Sequence, residues 1–208
     1  MCRMLMIRDA EPFPVKDFLP RFAAGCQSSS EYQGDGWGAA YRRGGKWHHY
    51  KSLTPIWEDQ EKDWGLCDFL ILHARSAFRG EGIHIDNNMP FARGERWFVF
   101  NGELHGVRVK QDGRIGAEKI FNYILRLDQG DLGEGFRKAI TIIRKRTDFV
   151  RGMNVLLTDG KSIHAATHHG SDHDYFTLYQ RKGRCAGFAS FPLDDHWQPL
   201  PNHSTHTI

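Results

Sequence analysis

Met1-Cys2-Arg3 opens the chain and places a thiol directly behind the initiator methionine. Removal of that methionine, usual before a small residue, is expected to leave the Cys2 thiol one carbon from a free α-amine. Unperturbed pKa values are about 7.7–8.0 for such an amine and about 8.5 for the thiol, so the amine can take or relay the thiol proton near neutral pH. A nucleophile served by its own terminal amine is a compact unit for covalent catalysis. A cysteine at position 2 can also be incidental, so its meaning depends on what else the fold carries to it.

The elements that would position it can be read from apolar spacing. Met1 to Arg8 reads as a strand with Cys2 at its start, and Phe18, Leu19, Phe22 and Ala23 recur at helical intervals. A polar loop covers Gln27 to Gly34. Gly36–Arg42 and Trp47–Ser52 form a hairpin pattern around Gly44-Gly45, and Asp68–His73 and Arg96–Asn101 are strand-like. Two amphipathic helices follow, one striped by Ala117, Ile120, Phe121, Ile124 and Leu125, the other by Phe136, Ala139, Ile140 and Ile143. Strands are expected again at Met153–Thr158, Ser162–Thr167, Tyr175–Gln180 and Cys185–Ala189, with an irregular tail from Pro192. Strands on both sides of a helix pair predict a layered α+β domain.

Composition removes several functions. The 208 residues suit one domain, and 25% charged with 40% hydrophobic residues is ordinary for a globular chain. A net charge of +3 without a dense Lys/Arg run gives no case for nucleic acid. Apolar runs such as Phe69-Leu70-Ile71-Leu72 are strand-sized, so no membrane span is expected, and Met1–Ile7 is too short for a secretory signal. Cys2, Cys26, Cys67 and Cys185 are widely spaced and form no CxxC pair, which predicts neither a zinc knuckle nor a disulfide framework, and a reducing cytoplasm. The histidine groups His48-His49 and His168-His169-Gly170-Ser171-Asp172-His173 raise a metallohydrolase reading, but no HExxH ladder supports it. No metal and no organic cofactor are expected.

Four segments line up with Cys2: Gly34-Asp35-Gly36-Trp37-Gly38, His73-Ala74-Arg75-Ser76-Ala77 with Gly80 after it, Asn87-Asn88-Met89-Pro90-Phe91, and Phe100-Asn101-Gly102-Glu103-Leu104. In order and spacing the chain resembles the glutaminase domain of class II glutamine amidotransferases, within the N-terminal nucleophile hydrolases. It is most similar to stand-alone members that begin Met-Cys-Arg and carry a Gly-Trp-Gly strand. The resemblance runs to Pro199-Leu200-Pro201-Asn202 and implies a single domain over residues 2–208. It implies a four-layer αββα sandwich, two antiparallel sheets flanked by helices. It also implies a small-molecule amide substrate, glutamine or a γ-glutamyl compound, cleaved through a Cys2 thioester. In that scheme the Asn101 side-chain amide and the Gly102 N–H form the oxyanion hole, and Arg75 grips the substrate α-carboxylate. Trp37 and Glu118 are further candidate substrate contacts. Each has a plainer reading: Asn101-Gly102 as a hairpin turn, Arg75 as a strand-end surface residue, Trp37 as core packing, His73 as a buried hydrogen-bonded histidine.

The likeness also breaks. Family members carry a Thr-Asp-Ser-Glu segment whose aspartate binds the substrate ammonium; here Ile115-Gly116-Ala117-Glu118 keeps the glutamate and puts Gly116 at the aspartate position. Met89 replaces a histidine before Pro-Phe, and Phe78 replaces a small polar residue. Either Glu118, Asp112 or another acid supplies the anchor, or the substrate lacks a free α-amine or is another γ-glutamyl amide, or the site is a non-catalytic binding or interaction module. The chain length leaves no acceptor domain, so an ammonia-using activity is expected to need a partner protein.

Overall fold

Met4-Leu5-Met6-Ile7 is an unbroken apolar run, the composition of a strand covered on both faces, and all four side chains have no exposure. The computed structural model describes residues 1–59, 64–78 and 82–208; Gly80 lies outside them. In chain order the strands and helices are β1 (Arg3–Pro14), α1 (Leu19–Gln27), β2 (Trp37–Arg43), β3 (Lys46–Ser52), β4 (Leu66–Ala74), β5 (Phe91–Arg93) and β6 (Arg96–His105). Then come α2 (Gly116–Arg126), α3 (Leu132–Lys145), β7 (Phe149–Thr158), β8 (Ile163–His169) and α4 (His173–Phe176). Short strands β9 (Tyr179–Arg181), β10 (Ala186–Ala189), β11 (Trp197–Pro199) and β12 (Ser204–Thr207) complete the described elements. No helix among the described residues is long and apolar enough to cross a membrane.

The chain forms two compact units, one from Met1–Pro90 with Leu178–Leu200, the other from Phe91–Thr177 with Pro201–Ile208. The first holds a seven-stranded sheet ordered β11-β9-β10-β1-β4-β2-β3, its described pairs antiparallel. Its core gathers Leu5, Ile7, Phe13, Leu70 and Leu72 from the sheet with Phe18 and Phe22 from the α1 region. Gly44 and Gly45 turn the β2–β3 hairpin with φ of 56° and 75°, the left-handed pair that suits a tight hairpin.

The second unit holds a five-stranded antiparallel sheet ordered β12-β8-β7-β6-β5. Helices α2 and α3 cover one face: Phe98 of β6 stacks on Phe121 at 4.9 Å, and His164 of β8 lies against Phe136. Residues alternate along β6, so Val99 and Asn101 point to the opposite face. Two antiparallel sheets with few helices make this an α+β fold, as the pattern predicts.

Three local expectations are corrected. The strand expected to end at Asn101 continues to His105. The Tyr175–Gln180 strand is replaced by the turn α4 and the short β9. Asp172 takes φ 51° and turns the chain, and Phe176 packs so tightly that a Cβ on Gly152 would lie 2.3 Å from its ring. Packing here overrides the β propensity of Tyr-Phe-Thr. The tail is not wholly irregular, because β11 and β12 gain order by pairing with β9 and β8.

Candidate functional site

In the first unit the chain start is held from several sides. Arg3 is buried, with Nε donating to Ser29 Oγ at 3.2 Å, NH1 to the Ser190 carbonyl at 3.0 Å, and its guanidinium over the Phe191 ring. Gln33 donates to the Met1 carbonyl at 2.6 Å, and the Met1 ammonium pairs with Glu31. Cys2, 8% exposed, enters β1 beside the end of β4, where Arg3 pairs with Ala74. Its Sγ–H points to the Ser76 carbonyl at 3.7 Å. Burial pushes the Cys2 thiol above its ordinary value, with the positive chain terminus and Arg75 acting against that rise.

Arg75 lies in the same corner, 6% exposed, and is not the surface arginine of the plainer reading. Its N–H donates to Gly36 O at 2.8 Å, its carbonyl accepts from Asp35 N at 3.1 Å, and Asp35 Oδ2 accepts from Ala77 N at 2.7 Å. The loop before β2 is thus laced to the segment after β4, which fixes the Arg75 backbone. Burial lowers its basicity, opposed by Cys2 and Asp35, and the group remains cationic. The Gly-Trp-Gly run has a steric cause. A Cβ on Gly36 would lie 2.3 Å from Asn88 Nδ2, and one on Gly38 would lie 2.3 Å from Met89 O. Trp37 is fully buried between them, with its indole N–H on Asp59 at 2.8 Å, an acceptor shared with Tyr50 OH at 2.7 Å. Those contacts are core contacts. His73 is fully buried in β4, and Phe78 is 48% exposed beyond Ala77.

In the second unit Asn101 and Gly102 sit in the middle of β6, paired with Asn154 and Met153 of β7, which removes the hairpin-turn reading. Asn101 has no exposure, and neither its Nδ2 nor its Oδ1 has a hydrogen-bond partner among the described residues. An unmade hydrogen bond on a buried polar group costs about 1–3 kcal/mol, so a fully buried amide with both ends open calls for a functional cause. Gly102 is required by space, since a Cβ would meet Gly152 O at 2.3 Å.

Glu118 is engaged within the same unit. Its Oε1 accepts from Arg93 NH2 at 2.8 Å and Arg114 NH2 at 2.9 Å, and its Oε2 from Arg114 N at 2.8 Å and Nε at 2.9 Å. The Arg114 hydrogen bonds, supported by Arg93, hold its carboxyl down at about 2. Gly116 is the first residue of α2, and a Cβ there would meet nothing within 4 Å.

The histidine groups divide into pairs: His169 with His173 at 2.9 Å between Nδ1 atoms, His168 with His203, and His48 stacked on Tyr41. Among the described residues no group of three or more His, Cys, Asp or Glu is placed to hold a metal ion. Sequence reasoning gave no role to Gln33 and Asp35 around Cys2 and Arg75, nor to Asn154 beside Asn101. Asn154 left one signal, an amide inside the apolar run Met153-Asn154-Val155-Leu156-Leu157, where strands disfavour it.

No protein-family model matches the sequence, and no curated protein matches it. Solved structures do. A glutamine aminotransferase class-II domain protein from Silicibacter pomeroyi aligns with TM-score 0.65 and 16% identity over 100% of this chain and 94% of its own. A predicted glutamine amidotransferase from Pseudomonas aeruginosa gives 0.59 and 16% over 99% and 96%. The glutamine phosphoribosylpyrophosphate amidotransferase of B. subtilis gives 0.63 and 14%, with this chain covering 42% of that protein's length and 91% of its own. The chain therefore shares its fold with solved glutamine amidotransferase domains, the fold class that the motifs imply.

Proposed function

We propose that this chain is a cysteine-dependent amidohydrolase of the glutamine amidotransferase type, cleaving glutamine or a γ-glutamyl amide. Once Met1 is removed, the Cys2 amine takes the thiol proton, and Sγ attacks the γ-carbonyl carbon. The resulting oxyanion is held by the Asn101 amide N–H and the Gly102 backbone N–H. Collapse breaks the C–N bond, the amine returns the proton, and ammonia or an amine leaves. Water then attacks the thioester, releasing the acid and restoring the thiol. Arg75, buried and held by the Asp35 loop, pairs with the substrate α-carboxylate.

Asn101 carries this reading, because a fully buried amide with both ends unbonded is a ready donor for charge that develops only during reaction. Glu118 is assigned to bracing, since both its oxygens are taken by Arg93 and Arg114. Trp37 is assigned to the core for the same kind of reason. The four cysteines are free and buried, which suits a reducing cytoplasm. An ammonia-accepting partner protein would convert the hydrolase into an amidotransferase.

The deciding experiment is turnover of L-glutamine and γ-glutamyl-4-nitroanilide by wild type and Cys2→Ala, with intact mass measured on both. Loss of turnover in Cys2→Ala together with a missing methionine supports the mechanism; unchanged turnover ends it. One observation favours the second reading, a non-catalytic binding protein: Glu31 and Gln33 hold Met1 in place. That reading allows Met1 to be retained and predicts ordinary thiol reactivity for Cys2.

A further inference from the structure

Asn101 does not stand alone on its face of the second unit's sheet. It is paired in register with Asn154 of β7, and Asn154 in turn with Thr167 of β8. Directly opposed residues of an antiparallel ladder share a face, with Cβ atoms about 4.5–5.5 Å apart. Exposure is 0% for Asn101, 0% for Asn154 and 2% for Thr167. Four polar atoms of this row, Asn101 Oδ1 and Nδ2, Asn154 Oδ1 and Thr167 Oγ1, have no hydrogen-bond partner among the described residues. The fifth, Asn154 Nδ2, donates to the Phe176 carbonyl at 2.7 Å.

That one bond polarises the row. It turns the nitrogen of Asn154 toward Phe176 and leaves Oδ1 as the end offered to its neighbours. An amide nitrogen carries two hydrogens. The two amides are opposed in register but not bonded to each other in this structure. A side-chain rotation that lets Asn101 Nδ2 give one hydrogen to Asn154 Oδ1 leaves the other for an oxyanion. The flipped Asn101 would set two carbonyl oxygens against each other across the strands and turn an acceptor toward the oxyanion. Thr167 Oγ1, next in the row and also unbonded here, can donate to the second lone pair of Asn154 Oδ1 after a change of its side-chain rotamer. We infer that Asn154, backed by Thr167, is a positioning residue that fixes which end of the Asn101 amide meets the reacting carbonyl. This rests on the reading of Asn101 as an oxyanion donor.

The test uses the full chain, L-glutamine and γ-glutamyl-4-nitroanilide as probes, and alkylation of Cys2 by iodoacetamide, a displacement that develops no oxyanion. Asn154→Leu is expected to lower kcat roughly 10- to 100-fold with KM little changed, because misplacing a donor acts on the transition state. The alkylation rate stays at the wild-type level. Thr167→Val lowers kcat in the same sense by a smaller factor, and Thr167→Ser restores it. Wild-type kcat in Asn154→Leu, or kcat and alkylation falling together, overturns the inference. If Asn154→Leu does not fold, the threonine pair decides, and an unchanged kcat in Thr167→Val overturns it. Turnover that survives Cys2→Ala, or a wild type silent on both probes, overturns the underlying reading instead and the inference with it.

Discussion

At the residue scale, the chemistry turns on how the environment changes two ordinary groups. Cys2 is buried, and burial holds its thiol above the ordinary cysteine value. In the chain that still carries Met1 the reactive thiolate is therefore scarce at neutral pH, and alkylation of that form by iodoacetamide should keep climbing with pH beyond the range where a free cysteine levels off. A rate that saturates near pH 8, measured by intact mass over time, would contradict that environment. Asn101 is the other group. Replacing it by alanine should lower kcat by about 10²–10³ with a smaller effect on KM, the usual cost of one oxyanion donor. Steady-state kinetics on γ-glutamyl-4-nitroanilide checks this, and a change confined to KM would argue for simple substrate binding. Each alone has an ordinary reading, an incidental thiol and a hairpin turn, and both could be picked out of the sequence only because four motifs and the resemblance they carry line up together. Asn154 left only the signal of an amide in an apolar run and Thr167 left none, since their meaning comes from register across strands. Sequence states each strand but not which residues face one another.

At the element scale, glycines and one ion-pair group set how closely segments approach. Gly102→Ala would drive a Cβ to within 2.3 Å of the Gly152 carbonyl, a backbone atom with no rotamer to yield. A loss of about 1–3 kcal/mol is expected, as for other overpacked sites, read as a lower midpoint in urea unfolding. Glu118 ties the first turn of α2 to Arg114 and to Arg93 of β5. Its carboxyl is held at about 2, below the ordinary 4.5, so the folded state binds the proton more weakly than the unfolded chain. The stabilisation is full above about pH 4.5 and is lost as pH falls toward about 2. Since both arginines are 46% exposed, screening trims the gain to about 1–2 kcal/mol. Glu118→Gln should remove that amount at pH 7 and flatten the acid limb of the stability curve; identical curves would deny the ion pairs. The helices and long strands were readable because apolar stripes and runs are strong local signals. The short β9, β11 and β12 were not, because partner strands order them.

At the scale of the whole molecule, 14–16% identity to the solved structures leaves the fold intact while few side chains are shared. In this chain Arg75 is buried, whereas Gly116, the first residue of α2, offers no carboxylate. Under the proposed glutaminase reading, Gly116 leaves the substrate ammonium without a carboxylate, so the α-amine is nearly dispensable and the α-carboxylate essential. Glutaramic acid, which lacks the amine, should then be cleaved within about tenfold of glutamine in kcat/KM, less than about 1.4 kcal/mol apart. The decarboxylated analogue 4-aminobutanamide should be turned over far more slowly. The converse substitution is open, because a Cβ on Gly116 meets nothing within 4 Å and the position begins α2, where an acidic side chain suits the helix dipole. Gly116→Asp should fold at least as well as wild type and lower KM for glutamine about tenfold while leaving KM for glutaramic acid unchanged, one charge-assisted contact being worth about 1.5–3 kcal/mol. If the two substrates respond alike in a well-folded Gly116→Asp protein, position 116 does not face the substrate ammonium and the anchor must be sought elsewhere.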